Sequence, residues 1–243
     1  DADVVVMEST YGDRTHDDED AVSRLADAVR RTVGRGGTVL IPAFAVDRTE
    51  VVLHHLRTLV RAGEVPDVPV FVDSPMALAA LAVYRAAVAR GDHEISTELD
   101  TARDPFDGGQ VVEVHDVDES KALAGLRMPA IIVSASGMAT GGRVLHHLAR
   151  LLPDRRNTVL LVGFQAPGTR GRQLADGART VKMLGRYVPV RADVAEIPLS
   201  IHADRDELCE WLATANTPPE VVHLVHGEPP ACDALARTVA DRL

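Results

Sequence analysis

Three polar residues stand at or beside the ends of apolar runs, positions from which a side chain can reach a catalytic rim. Glu8 follows the run 4–7 and His226 follows Val221–Val225, whereas His202 lies in a turn between a strand and a helix. A carboxylate can orient an imidazole or accept a proton, and an imidazole can act as an acid, a base or a metal ligand. This pattern indicates acid–base or metal chemistry, although each histidine taken alone fits a structural role equally well.

Small residues dominate three turns after predicted strands, namely 134–142, 163–172 and Asp73-Ser74-Pro75. Hydroxyl groups and backbone N–H groups at a helix start can bind phosphate, whereas glycines also serve simply to permit tight turns. No Gly-Lys-Ser/Thr follows, and the first turn lacks Gly-x-Gly-x-x-Gly, so a phosphate backbone is favoured over a nucleotide cofactor. The two glycine-rich turns are expected to follow neighbouring strands, and we therefore expect them to form one phosphate-holding wall. The residues considered for this wall are Ser134, Ser136, Gly137, Arg170 and Arg172.

These residues need a scaffold, and the hydrophobic pattern predicts an α/β fold with a largely parallel sheet. Nearly continuous apolar runs, typical of strands covered on both faces, alternate with helix-spaced patterns. The predicted strands are residues 4–7, 38–41, 68–72, 130–133, 158–162, 190–195 and Val221–Val225. Residues 91–120 have weak periodicity and are uninformative about chemistry.

The composition of this chain of 243 residues limits the function classes open to it. Its net charge of −10 argues against whole-surface attraction to nucleic acid or an anionic membrane, but not against a local basic patch. Only 3% of the residues are aromatic, which leaves few candidates for base stacking. Two cysteines, Cys209 and Cys232, indicate a reducing compartment, and no apolar stretch is long enough for a membrane span. We therefore expect a cytoplasmic location; the missing initiator methionine predicts a piece of a longer protein.

Five motifs of this sequence resemble those of the β-CASP branch of the metallo-β-lactamase superfamily, in the same order. They are ESTYGDR at 8–14, IPAFAV at 41–46, SASGM at 134–138, SIHAD at 200–204 and VHGE at 225–228. This branch includes the nuclease subunit of the messenger-RNA 3′-end cleavage complex, its archaeal and bacterial relatives and, more distantly, ribonuclease J. The resemblance implies an RNA-cleaving hydrolase with two zinc ions, in which a metal-held hydroxide attacks a backbone phosphate.

The resemblance also implies roles for single residues. His226 matches a zinc ligand, and Glu8 matches the carboxylate that orients the histidine beside the scissile phosphate, which is His202 here. The phosphate-holding wall would then bind RNA. Most of the family's zinc ligands come from a stretch with His-x-His-x-Asp-His, a later histidine and a bridging aspartate, which this sequence lacks. We therefore expect the chain alone to be inactive and to bind zinc weakly or not at all.

The resemblance divides the chain into three parts. Residues 13–197 would form a Rossmann-like β-CASP domain, and residues 1–12 and 198–243 would be two pieces of a partial αββα metallo-β-lactamase domain. The sequence departs from many relatives at Asp47, where they have glycine, and at Leu199-Ser200-Ile201, where they have Phe-Ser-Ala. A non-catalytic RNA-binding or scaffolding module stays open as an alternative, as does a homodimer.

Overall fold

Helices cover both faces of the main sheet, as the near-continuous hydrophobicity of its strands predicts. A computed structural model describes residues 2–16, 18–93, 95, 104–107, 110–199 and 202–242. The strands are β1 (Val4–Glu8), β2 (Thr38–Pro42), β3 (Val70–Val72), β4 (Val111–Glu113), β5 (Ala130–Ser134), β6 (Thr158–Leu161), β7 (Thr180–Met183), β8 (Arg186–Pro189), β9 (Asp193–Glu196) and β10 (Val221–Val225). The helices are α1 (Asp18–Gly34), α2 (Arg48–Arg61), α3 (Pro75–Arg90), α4 (Val117–Ala122), α5 (Arg143–Leu151), α6 (Arg170–Ala175), α7 (Arg205–Ala213) and α8 (Pro229–Arg242).

The chain divides into two compact units. Unit 1 consists of Asp1–Asp17 and Ser200–Leu243, and unit 2 consists of Asp18–Leu199. Unit 2 contains a six-stranded sheet in the order β4-β3-β5-β2-β6-β9, in which every neighbouring pair is parallel, and the separate β7–β8 pair. The predicted α/β class with a largely parallel sheet is therefore confirmed.

Successive side chains of the central strands point to opposite faces of the sheet, which explains why unit 2 has a helical layer on each face. Val39 and Ile41 of β2 pack with α1, α2 and α3, whereas Leu40 packs on the opposite face with α5 and α6. All three side chains are fully buried. Burying each of these side chains contributes roughly 1.5–3 kcal/mol, so both layers hold the carboxyl ends of the strands firmly in place.

The wall expected from neighbouring strands rests on a wrong strand order. We expected the turns after β5 and β6 to follow adjacent strands, but β2 lies between these two strands. The pattern of each strand sets its burial, whereas strand order depends on long-range packing that no local pattern encodes. The two turns still touch, because Gly171 N donates to Met138 O at 3.0 Å and Gln165 Nε2 donates to Gly137 O at 3.2 Å.

Three short strands escaped sequence-based prediction. The edge strand β4 has only three residues, and it lies in the segment of weak periodicity. The β7 and β8 strands form an antiparallel hairpin whose residues alternate between buried and exposed, with Lys182 between Val181 and Met183. Strands are predicted here from continuous apolar runs, and a strand whose residues alternate between buried and exposed does not contain such a run.

Unit 1 contains a two-stranded parallel sheet, β1 with β10, which packs against α7 and α8. Met7 on one face of this sheet contacts a small core that includes Leu208, Leu212 and Leu235. The other face is open, since Val4 is 54% and Val6 is 64% exposed. The expectation that these two strands are covered on both faces is therefore wrong within this unit. Among the helices that the structure describes, none is long and apolar enough to cross a membrane.

Candidate active site

The parallel register of β1 and β10 brings two of the three predicted polar residues together. Glu8, the last residue of β1, lies opposite Val225, the last residue of β10, and His226 follows at once. Parallel strands end at the same edge of a sheet, so both side chains reach that edge. His226 has φ 71°, which lies in the left-handed region. Residues other than glycine adopt this conformation at a cost of about 1–3 kcal/mol.

His202 reaches the same edge from the segment that leads into α7. Asp204 caps this helix, because its carboxylate accepts from the N–H groups of Asp206 and Glu207, both at 2.9 Å. Glu207 completes the capping box by accepting from Asp204 N. Asp204 also accepts from His16 N at 2.8 Å, so the start of α7 is fixed two residues after His202.

Glu8 and His202 form a hydrogen-bonded pair, as the family resemblance implies. His202 Nδ1 lies 3.1 Å from Glu8 Oε1. Burial by itself raises the pKa of Glu8, but hydrogen bonds from the Thr10 hydroxyl, the Thr10 N–H and His202 outweigh this and lower the pKa below its usual value. The carboxylate is thus ionised near neutral pH and accepts hydrogen bonds at both oxygens.

Sequence reasoning missed Thr10, whose hydroxyl contacts both Glu8 and His226. Thr10 is 2% exposed; its N–H donates to Glu8 Oε2 at 3.1 Å and its Oγ1 makes a short hydrogen bond with the same oxygen. Oγ1 also lies 3.0 Å from His226 Nδ1. Threonine does not titrate, so a search for acids, bases and ligands passes over it, although its place between Glu8 and Tyr11 in the motif is a usable signal.

The hydrogen-bond network assigns the tautomers of the neutral imidazoles. Since an ionised carboxylate only accepts, the Thr10 hydroxyl proton goes to Glu8. The remaining lone pairs of Oγ1 then accept from His226 Nδ1–H, which leaves His226 Nε2 with a lone pair for a metal ion. In the same way, His202 donates Nδ1–H to Glu8, and its Nε2 is the nitrogen that can exchange a proton with a substrate.

Ser9 ties the two strand ends together beneath these side chains. Its buried hydroxyl donates to Val225 O at 2.8 Å and accepts from Gly227 N at 3.2 Å. A Cβ on Gly227 would lie 2.4 Å from Ser9 O, so only glycine fits directly after His226. Cys232 Sγ lies 3.1 Å from the same hydroxyl. The backbone on either side of His226 is therefore held by contacts that a larger residue would break.

The donor atoms at this edge suit zinc. Ligand atoms of Glu8, His202 and His226 all lie within 4.8 Å of one another, and two imidazoles with a carboxylate are an ordinary zinc ligand set. Both Glu8 oxygens already accept hydrogen bonds, however, and closure of all three side chains on one ion would break the bonds to His202 and Thr10. His226 is therefore the residue best prepared to be a ligand.

The proposed phosphate-holding residues all lie in unit 2, and each contacts its own turns. Ser134 is 1% exposed and donates to Asp73 O at 3.0 Å, so its hydroxyl links two strand ends. Ser136 Oγ lies 2.9 Å from Thr140 Oγ1, and a Cβ on Gly137 would meet the Phe44 ring at 2.9 Å. These contacts give the first turn a fixed shape.

The two arginines of the second turn are also engaged. Arg170 donates to Lys182 O at 2.8 Å and to Thr140 O at 3.0 Å. Arg172 pairs with Asp176 at 3.0 Å and donates to Gln165 O at 3.3 Å. A phosphate bound here would have to share these guanidinium groups with the protein's own acceptors.

A buried ionic cluster occupies the turn after β3. Fully buried Asp73 accepts from His147 Nε2 at 2.6 Å, from Arg143 at 2.7 Å and from the Ser120 hydroxyl at 2.6 Å. The His147 side chain is 4% exposed and bonds to Asp73, so this histidine has a structural role in the cluster. The Asp73-Ser74-Pro75 turn also caps α3, because Ala77 N donates to Ser74 Oγ at 3.2 Å.

Two protein-family models match this chain. Residues 49–174 match the Beta-Casp domain family, and residues 187–242 match the family described as a Zn-dependent metallo-hydrolase RNA specificity domain. The chain is 37% identical over 243 residues to Ribonuclease TTHA0252 of Thermus thermophilus, covering 99% of this chain and 55% of that protein. It is 34% identical over 229 residues to an RNase J-like protein of Methanocaldococcus jannaschii, covering 93% of this chain and 52% of that protein.

A third relative carries a different name. Transcription termination factor FttA of Pyrococcus abyssi is 36% identical over 245 residues, which covers 97% of this chain and 38% of that protein. The chain thus spans about half the length of the first two relatives and less of the third.

Proposed function

Because this chain belongs to the β-CASP branch of the metallo-β-lactamase superfamily, we propose that the full-length protein is a zinc-dependent ribonuclease. Its reaction is hydrolysis of an RNA phosphodiester bond. The observation that carries the proposal is the Glu8–His202 pair at 3.1 Å, beside a histidine whose Nε2 is left available by Thr10. An acid and a potential metal ligand held by one buried hydroxyl are what this reaction needs, whereas a scaffold needs neither.

His202 is the proposed general acid. Its Nδ1 faces Glu8, so Nε2 gives a proton to the leaving oxygen as the P–O bond breaks. The oxygen of the attacking water forms the new bond to phosphorus, and the water proton is released to solvent. General-acid assistance of this kind is worth about 10²–10⁴-fold in rate. Glu8 is a positioning residue, because its carboxylate orients the imidazole through the bond to Nδ1.

His226 is the proposed zinc ligand, and Thr10 is the residue that positions it. Zinc, when bound, supplies Lewis acidity and lowers the pKa of water. The full-length protein would hold two ions, as the resemblance implies, with the other ligands in a segment outside this sequence. A chain with this single ligand would bind zinc weakly or not at all and would be inactive alone, since catalytic zinc sites use about three protein ligands.

The same proposal divides the chain into two domains: residues 13–197 form the β-CASP domain, and residues 1–12 with 198–243 belong to the metallo-β-lactamase domain. The compact units of the structure support this division, since their limits differ from it by only a few residues. RNA is the proposed partner, with Ser136, Gly137, Arg170 and Arg172 as contacts through the turns of unit 2. Two free cysteines support a cytoplasmic location.

Cleavage of a labelled, unstructured RNA by the full-length protein tests the proposal. We expect cleavage with zinc present, loss of cleavage after chelation and its recovery when zinc is returned. His93→Ala is a matched control for substitutions at His202, because its side chain is 90% exposed and it lies in the other unit. A protein that binds the RNA and leaves it intact under all these conditions is a scaffold, and the ribonuclease proposal is then wrong.

A further inference from the structure

The β7–β8 hairpin concentrates positive charge in a chain that is acidic as a whole. Residues 177–192 contain four basic side chains and no acidic one, whereas the whole chain has a net charge of −10. The four are Arg179, Lys182, Arg186 and Arg191, and all of them are exposed. This local basic segment is the kind of patch that net charge alone cannot reveal.

The cations of this hairpin differ from Arg35, Arg85 and Arg172, which each pair with a carboxylate, in having no acidic partner among the described residues. Within the ranges that the structure describes, none of the four forms an ion pair. The two acidic residues that flank the segment are already paired, Asp176 with Arg172 at 3.0 Å and Asp193 with Arg35 at 2.6 Å. The positive charge of the hairpin is thus available to a ligand.

An exposed aromatic ring lies beside one of these cations, Lys182, and directly follows another, Arg186, in the chain. Tyr187 is 71% exposed and lies opposite Lys182 in the antiparallel register. Lys182 Nζ is 5.9 Å from the centroid of the ring, which places a cation beside a flat surface. The chain has only eight Phe, Tyr and Trp residues. Tyr187 has the exposure and the basic surroundings of a base-stacking platform.

The hairpin is held firmly by its other face. Val181, Met183 and Val188 are buried in the core of unit 2, at 0%, 1% and 2% exposure. Arg170 Nε donates to Lys182 O at 2.8 Å, and Val190 N donates to Arg179 O at 2.9 Å. The outward side chains are therefore presented on a fixed backbone, and substituting them leaves the core intact.

We propose that this hairpin, through Tyr187, Lys182 and Arg186, is a binding site for single-stranded RNA. The ring stacks on an unpaired base, and the cations contact the neighbouring phosphates. Single strands are favoured over duplex because bases inside a helix are not free to stack on a side chain. That the ligand is RNA rests on the proposed ribonuclease function. The hairpin adds an RNA contact to those proposed for the catalytic residues and for the turns of unit 2.

Binding is measured with the full-length protein carrying His202→Ala, so that a labelled single-stranded RNA stays intact. Tyr187→Ala weakens binding about tenfold, whereas Tyr187→Phe keeps the ring and stays within about twofold. Neither variant changes the affinity for a duplex RNA. Lys182→Gln and Arg186→Gln each reduce the slope of log K against log salt by about 0.7.

Two control variants separate this site from general effects of charge and aromatic surface. Lys121→Gln removes the other lysine of the chain, whose side chain is 71% exposed, and Trp211→Ala removes another exposed ring. Both leave the affinity for single-stranded RNA unchanged. Equal losses in the control and hairpin variants would overturn the proposal.

Two further outcomes are decisive. If Tyr187→Ala binds single-stranded RNA as the parent does, or if poly-glutamate displaces the RNA and binds more tightly, the hairpin is not an RNA site. Cleavage is scored separately with His202 intact. If the protein never cleaves RNA but Tyr187→Ala weakens binding, the ribonuclease proposal is wrong and the hairpin proposal stands. If it cleaves RNA and Tyr187→Ala has no effect on binding, the hairpin proposal is wrong and the ribonuclease proposal stands.

Discussion

The hydroxyl of Thr10 lies 3.0 Å from Nδ1 of His226 and also bonds to the Glu8 carboxylate, so one buried side chain contacts both the proposed metal ligand and the residue that positions the proposed acid. Glu8 in turn holds His202. Because each histidine donates its Nδ1–H within these contacts, Nε2 of each imidazole stays available. The division of labour between the two histidines thus comes from a residue that does no chemistry itself.

Thr10→Val should weaken zinc binding by the full-length protein about 10–100-fold, the usual cost of losing the partner of a metal-binding histidine. Valine keeps the shape of the side chain and removes the acceptor for His226 Nδ1–H. Thr10→Ser keeps the hydroxyl and should restore most of the affinity. Competition with a zinc chelator measures both variants, and equal affinities for Thr10→Val and the parent would show that Thr10 does not position His226.

The 243-residue chain alone should retain little zinc. The proposal gives it one ligand, His226, and engages both Glu8 oxygens in hydrogen bonds. Metal analysis after dialysis against metal-free buffer should find well below one ion per chain. A full equivalent of zinc that disappears in Glu8→Gln would mean that Glu8, His202 and His226 close on one ion, contrary to the assigned roles.

Asp73 should make unit 2 sensitive to acid. Burial by itself raises the pKa of Asp73, but hydrogen bonds from His147, Ser120 and Arg143 overcome it and lower the pKa below the ordinary 3.8. The unfolded chain therefore binds the proton more readily, so the stabilisation is present above pH 3.8 and is lost as the pH falls through the lower folded value.

Denaturation from pH 7 to pH 2.5 checks the contribution of Asp73. Asp73→Asn should lower the free energy of unfolding at pH 7 by about 3 kcal/mol, because it removes the buried carboxylate that pairs with the partly buried Arg143. This difference should shrink as the parent becomes protonated in acid. Asp118→Asn, at a side chain that is 91% exposed, is the control. A constant difference at every pH would contradict the assignment.

Glu50 should have the opposite pH dependence. Its side chain is 3% exposed, and burial with the nearby Asp47 carboxylate raises its pKa to about 7 from 4.5. The folded protein then binds the proton more readily than the unfolded chain, so stability is lost as the pH rises from about 4.5 to about 7. Glu50→Gln should therefore raise the free energy of unfolding at pH 8 by up to about 3 kcal/mol and have little effect at pH 4. Glu64→Gln, at an exposed position, should change neither, and a destabilised Glu50→Gln at pH 8 would refute the prediction.

Much of the site was predictable because it lies at strand ends that the sequence marks clearly. Glu8 and His226 each follow a continuous apolar run, and the pairing of Glu8 with His202 follows from the motif resemblance. Thr10 was missed because its role depends on three hydrogen bonds formed only in the folded chain. Strand order could not be read either, since placing β2 between β5 and β6 depends on how helices pack across the whole sheet.

The hairpin shows a second limit of sequence patterns. Val181, Met183 and Val188 alternate with exposed residues, so the segment lacks the apolar run by which the other strands were found. Its basic character was hidden by the negative charge of the whole chain. Only the pairing of Lys182 with Tyr187 shows that this cation and the ring share one face.

Single-turnover cleavage by His202→Ala, measured together with zinc content, tests the central claim most directly. We expect the cleavage rate of His202→Ala to fall about 10²–10⁴-fold while the protein retains its zinc. His226→Ala should lose zinc as well as activity. Adding Glu8→Gln to His202→Ala should lower the rate little further, because the two residues act as a unit. A His202→Ala protein that loses its zinc, or that cleaves at the parent rate, would contradict the account.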